Sequence, residues 1–218
     1  MMGSINLLLP ALGETIYMVF FSTLFSLIFG VPLAILLVIT SKNNLWENNK
    51  INSALGVLIN CLRSFPFIIL MILIFPVSRI LVGTTIGSTA AIVPLSIAAT
   101  PFVARVIEGA LKEVDKGLIH ASLSLGASNW EIITKVLIPE SVPQLINGVT
   151  IIIISLIGYS AMAGAIGGGG LGDVAIRYGY LRFKTDVMIY SVVIIVVLVQ
   201  GIQNCGNSIV EKIKKKRG

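Results

Sequence analysis

From Thr15 to Ser41 the chain carries no charged residue, and that stretch limits its possible folds more than any other feature. A segment crossing a ~30 Å hydrocarbon layer needs roughly 20 mostly apolar residues, wound as a helix so that the backbone satisfies its own hydrogen bonds. Five segments meet that demand: Leu12 to Ile39, Leu55 to Phe75, Ile86 to Ile107, Pro143 to Ala165 and Val187 to Gly206. The expected fold is an all-α membrane protein with five transmembrane helices in a single domain spanning residues 1–218. Composition excludes a soluble alternative. The chain is 12% charged and 56% hydrophobic with mean hydropathy +0.96, whereas a water-facing surface normally requires about a quarter of residues to be charged.

The net charge of +6 raises the question of nucleic acid, and its placement answers it. Lys212, Lys214, Lys215, Lys216 and Arg217 follow directly on the last apolar segment, as at the cytoplasmic end of a final span. Membrane lipid is therefore the expected partner of this charge, not nucleic acid. With the N-terminus outside, Lys42, Lys50, Arg105, Lys112, Lys116, Lys135 and the C-terminal block face the cytoplasm, against Arg79, Arg177, Arg182 and Lys184 outside. The positive-inside bias selects that orientation, with the C-terminus cytoplasmic. The N-terminus has no cationic region before its first charge, Glu14, so the first span is expected to stay in the mature chain.

Arg63 is the basic residue that this topology leaves at or near membrane depth. It requires a partner, a wet cavity or a route to the interface, and Pro66 is placed to kink the same span. Cys61 and Cys205 both lie in apolar runs without metal-ligand spacing and are expected to be buried free thiols. His120 is the only histidine, so no metal site or other cofactor is expected.

Between the third and fourth spans lies a polar interval, residues 108–142. Leu118, Ala121 and Leu125, then Ile132, Ile133, Val136 and Leu137, repeat at helical spacing on either side of Gly126, which predicts two short amphipathic helices joined at a glycine turn. Pro139 is expected to separate the second from the next span. Taken alone, this pattern also suits a helix lying on lipid headgroups.

The residues here resemble the coupling motif of ABC importer permeases. That motif has Glu-Ala-Ala, three residues, Gly, nine residues and an Ile-x-Leu-Pro ending. Ala121, Gly126 and Pro139 match, Val136 and Ile138 are conservative, and His120 and Ser122 stand where the motif has Glu and Ala. The resemblance implies that His120, Ala121, Ser122, Gly126, Ala127, Ser128 and Pro139 belong to a loop that docks on an ATPase, with the first motif position altered.

A second set of residues resembles the methionine-uptake permeases. It comprises Arg63 to Leu70, Val82 to Gly87, the Gly158-Tyr159-Ser160-Ala161-Met162-Ala163-Gly164 stretch, Gly167 to Gly172 and Arg177 to Tyr180. The likeness runs from the first span to the last. It implies the type I ABC importer permease architecture: a homodimer in the cytoplasmic membrane, two copies of an ATPase and a substrate-binding (lipo)protein, importing methionine in one or both stereoisomers. Tyr159, Ser160, Met162 and Gly164 are the candidate substrate path, since hydroxyls, a soft sulfur and room for backbone approach suit such a cargo. Close helix packing is the competing account of the same small residues.

Two nucleotide motifs are excluded. Gly167, Gly169 and Gly172 have dinucleotide-binding spacing but follow a helical span, not a strand. No Gly-Lys-Ser/Thr sequence occurs, so ATP hydrolysis is expected on a separate chain and this chain is not expected to be an enzyme. A secondary transporter or channel would need ionisable mid-span residues, and Arg63 alone is a candidate. A membrane-embedded enzyme would need a reactive cluster, and His120 has no evident partner in the sequence.

Overall fold

The computed structural model describes residues 2–217. Its helices are α1 (Met2–Ile39), α2 (Asn49–Ser64), α3 (Phe67–Val82), α4 (Ser88–Lys112), α5 (Lys116–Ser124), α6 (Asn129–Ile132), α7 (Ile138–Glu140), α8 (Val142–Ala165), α9 (Gly170–Val174) and α10 (Thr185–Arg217). Wider π turns cover Ile133–Leu137 and Ala175–Tyr180. No strand occurs among the described residues, as expected for a backbone that closes its hydrogen bonds within each crossing.

α4 is the centre of the bundle. Leu95, Ala99, Val103 and Ile107 are buried along it, against Met18, Ala34 and Val38 of α1 and Ile152 and Leu156 of α8. Small residues set the spacing: a Cβ on Gly30 of α1 would fall 2.6 Å from Val103 Cγ1. Hydroxyls inside the bundle donate to carbonyls of their own helices, Ser96 to Ile92 O at 2.7 Å and Thr100 to Ser96 O at 2.7 Å. Each is thereby satisfied where water is absent. α10 packs on α8 and leaves most of its apolar surface outward.

Four helices (α1, α4, α8 and α10) are long and apolar enough to cross a bilayer unbroken. The expected span 55–75 is not one helix. It divides into α2 and α3, which meet at 102°, and five crossings result when this pair counts as one. The cause is local: Pro66 has no N–H to donate and its ring bars the preceding residue from helical geometry. Phe65 accordingly sits at φ −70°, ψ 133°.

Cys61 and Cys205 are free, as expected, but exposed on the subunit and not buried. Apolar runs in this chain point outward as well as inward, because the surrounding medium is lipid. The glycine-rich interval 164–186 folds back as α9 and a π turn against α1, α8 and α10.

Candidate functional site

The interval between α4 and α8 is ordered by short-range hydrogen bonds. Asp115 opens α5, its Oδ1 accepting the Gly117 N–H at 2.7 Å. α5 closes with two reversed bonds, Gly126 N–H to Leu123 O (3.0 Å) and Ala127 N–H to Ser122 O (3.1 Å). This pairing is the Schellman arrangement, which needs a left-handed residue at its turn. Gly126 supplies it at φ 82°.

Two residues later a capping box opens α6. Ser128 Oγ accepts the Glu131 N–H at 3.3 Å, and Glu131 Oε2 accepts the Ser128 N–H at 3.1 Å. Lys135 Nζ donates to Glu131 Oε1 at 2.9 Å. The Lys135 hydrogen bond foremost, then those from Ser128, lowers the Glu131 pKa to about 2.

The turn thrusts apolar side chains outward. Leu125 is 88% exposed and Trp130 69%, while Ile119, Ile132 and Leu137 anchor the loop inward. Beside the turn lies a hollow of about 360 Å³ lined by Leu125, Gly126, Ala127, Glu131, Lys135 and Val136. A second, about 490 Å³, lies between α5 and the α1–α2 connection, and His120 lines it together with Asn43, Asn44, Leu45, Ile119 and Leu123. His120 and Ala121 are exposed, and Ser122 is half-buried. Asn129 Nδ2 reaches Leu45 O at 3.5 Å, so the loop leans on that same connection.

Pro139 lies between two departures from α-helical geometry. The π turn before it carries the Ile138 N–H to Ile133 O, and Ser141 after it is non-helical at ψ 1°. Ser141 Oγ donates to Leu137 O (2.8 Å) and Ile138 O (3.0 Å), satisfying the buried hydroxyl within its own turn.

The four candidate path residues on α8 fall on two faces. The Tyr159 ring stacks on Phe67 of α3, with centroids 4.2 Å apart and planes at 14°. Met162, one turn on, is exposed. Ser160 is buried and donates to Ile157 O at 2.8 Å. Gly164 meets α9 backbone to backbone, and a Cβ there would lie 2.7 Å from Gly172 C. Half-buried Tyr159 and exposed Met162 share the more accessible face, while Ser160 and Gly164 belong to a packed seam.

Sequence reasoning missed three groups of contacts. Glu14 Oε2 accepts the Gly170 N–H at 2.7 Å and Thr15 Oγ1 the Leu171 N–H at 2.9 Å, tying α1 to the start of α9. Nothing local signals this pairing across the chain. Buried Glu108 pairs with Arg105 and Lys112, each at 2.7 Å, and the i, i+3, i+4 spacing of those charges was a usable signal. Phe67, the partner of Tyr159, had none.

With this geometry in hand, residues 30–203 match the family described as binding-protein-dependent transport system inner membrane component. The chain belongs to that family. A probable D-methionine transport system permease protein MetI from Vibrio cholerae is 51% identical over 208 residues, covering 95% of this chain and 92% of that one. The methionine import system permease protein MetP of Bacillus subtilis is 48% identical over 83% of this chain and 82% of its own length. A chain from an inward-facing MetNI methionine ABC transporter superposes with TM-score 0.94 at 44% identity, covering 96% and 97% of the two chains. An amino acid ABC transporter crystallised with histidines shares the fold alone, at TM-score 0.74 and 20% identity. The fold of this inner-membrane component is that of a type I ABC importer permease, and the family match takes in both the Gly126 loop and the accessible face of α8.

Proposed function

We propose that the chain is the permease subunit of an ATP-driven importer that moves methionine across the cytoplasmic membrane. Two copies form the path and two ATPase chains dock beneath them. The N-terminus lies outside, and the C-terminus and the loop between α4 and α8 lie in the cytoplasm.

The observation that carries this reading is the loop itself. Its turn is closed by Gly126, its second helix is opened by the Ser128–Glu131 box, and Ile119, Ile132 and Leu137 fix it to the core of the bundle. Yet it presents Leu125 and Trp130 to solvent, and exposed apolar anchors beside a shaped hollow suit a protein partner. ATP binding draws the two partner chains together, the loops follow, and the bundle switches from inward-open to outward-open. This chain performs no covalent chemistry in that cycle. Tyr159 and Met162 line the path, while Ser160 and Gly164 keep its wall in register. The methionine assignment rests on likeness to the permeases named above.

Reconstitution tests the proposal. Proteoliposomes holding the chain, its ATPase partner and the binding protein should accumulate methionine when ATP is supplied at the ATPase side. They should not do so with a non-hydrolysable analogue. Accumulation by the permease without ATPase or ATP would instead identify a secondary transporter or channel.

A further inference from the structure

Arg63 closes α2 at the bend with α3, and its side chain is exposed. Its depth follows from its neighbours. Leu62 shares a hollow with Phe29 and Ile97, which lie roughly 15 and 22 Å in from the loop-side ends of α1 and α4 at 1.5 Å per residue. In a layer ~30 Å thick that is the middle of the bilayer. Snorkelling serves residues near helix ends and does not reach from there.

The guanidinium has no ion pair or side-chain hydrogen bond among the described residues. The C-terminus of α2 offers it only a partial negative charge. A cation at this depth requires an anion or water.

α2 supplies the route. Ser53, Gly56, Asn60 and Arg63 share one helical face, whereas Leu55, Leu58, Ile59 and Leu62 turn toward α1 and α4 around the apolar hollow. The polar face is organised at its lower half: Arg105 of α4 donates to Gly56 O and Asn60 Oδ1, both at 3.0 Å, and is itself held by Glu108. A polar track therefore climbs from the loop side and ends at an unpaired cation. Immediately past the bend Phe67 stacks on Tyr159, an aromatic wall suited to a thioether side chain.

We infer that Arg63 is the carboxylate-binding residue of the translocation path, pairing with the amino-acid headgroup of the cargo in transit. The inference rests on the proposed importer function and adds a specific recognition residue to it. A planar guanidinium matches a carboxylate through two parallel hydrogen bonds, and the pair neutralises both charges where each is costly.

The test uses the reconstituted complex of permease, ATPase and binding protein with Cys61→Ser and Cys205→Ser as background. Arg63→Cys should lower methionine uptake about tenfold or more, the scale of one charged hydrogen bond, while basal ATPase activity stays within about twofold. A 2-aminoethyl methanethiosulfonate, which restores a cation, should recover most of the uptake. The anionic 2-sulfonatoethyl reagent should not, and methionine should slow both modifications. Uptake unchanged in Arg63→Cys, equal recovery by both reagents, or no protection by methionine would overturn the inference. If Arg63→Cys does not assemble, Arg63→Lys and Arg63→Gln decide: Lys should keep transport with a raised KM, and Gln should lose it. Equal transport by those two variants contradicts the assignment. Failure of the background complex to take up methionine at all would count instead against the proposed function.

Discussion

Glycine serves opposite purposes at the two ends of this bundle. At Gly126 a Cβ would meet nothing within 4 Å, and the residue is required for its φ of 82° alone. At Gly164 a Cβ would collide with the α9 backbone, as the 2.7 Å approach to Gly172 C indicates, and φ is unexceptional. The first glycine shapes an outward-facing turn, the surface proposed above to dock on the ATPase. The second closes a seam inside the subunit. Substitutions at the two should therefore have separable effects.

The largest effect is expected from Gly164→Val. The side chain meets backbone that cannot rotate away, so overpacking of about 3 kcal/mol or more follows. The amount of monodisperse protein recovered in detergent should fall severely. Normal recovery would show that α9 can shift, and the seam would lose its importance. Gly126→Val should behave differently. A β-branched residue at positive φ costs about 1–3 kcal/mol, confined to an exposed turn. Recovery should be near normal while co-purification of the ATPase fails, and Gly126→Asn, which tolerates the left-handed region, should restore part of it.

A smaller change is expected at Glu14→Ala, which removes the acceptor for the Gly170 N–H. The loss, about 1–2 kcal/mol, should lower the melting temperature by a few degrees without affecting ATPase binding. The smallest effect concerns pH at the loop. The Glu131 pKa is lowered from 4.5 to about 2, so its contribution is complete above about 4.5 and disappears as pH falls toward 2. Amide exchange of Ser128 to Lys135, corrected for intrinsic rates, should show constant protection from pH 8 to about 5 and lose it only in acid. Protection that changes near neutrality would implicate another group.

The same contrast governs how much of the molecule is legible in its sequence. The loop was legible because its determinants lie within a few residues of one another: apolar residues at helical spacing on either side of Gly126, and Pro139 before a span. Four of the five apolar runs correspond to helices long enough to cross unbroken. The break at Pro66 was half legible, since proline marks a kink, but the 102° between α2 and α3 depends on what each half packs against. The faces of α8 were not legible at all. Tyr159, Ser160, Met162 and Gly164 are close in sequence, and only the approach of α9 divides a seam from an accessible face. Exposed thiols at Cys61 and Cys205 reflect the same limit, because an apolar run in a membrane chain does not say which side meets lipid.

Crosslinking reports directly on whether the Gly126 turn touches the ATPase. Leu125→Cys, made with Cys61→Ser and Cys205→Ser, would carry a short photoactivatable maleimide in the assembled complex. The account requires a covalent adduct with the ATPase chain, diminished by Gly126→Val. An intact complex that yields adducts with lipid alone would contradict it.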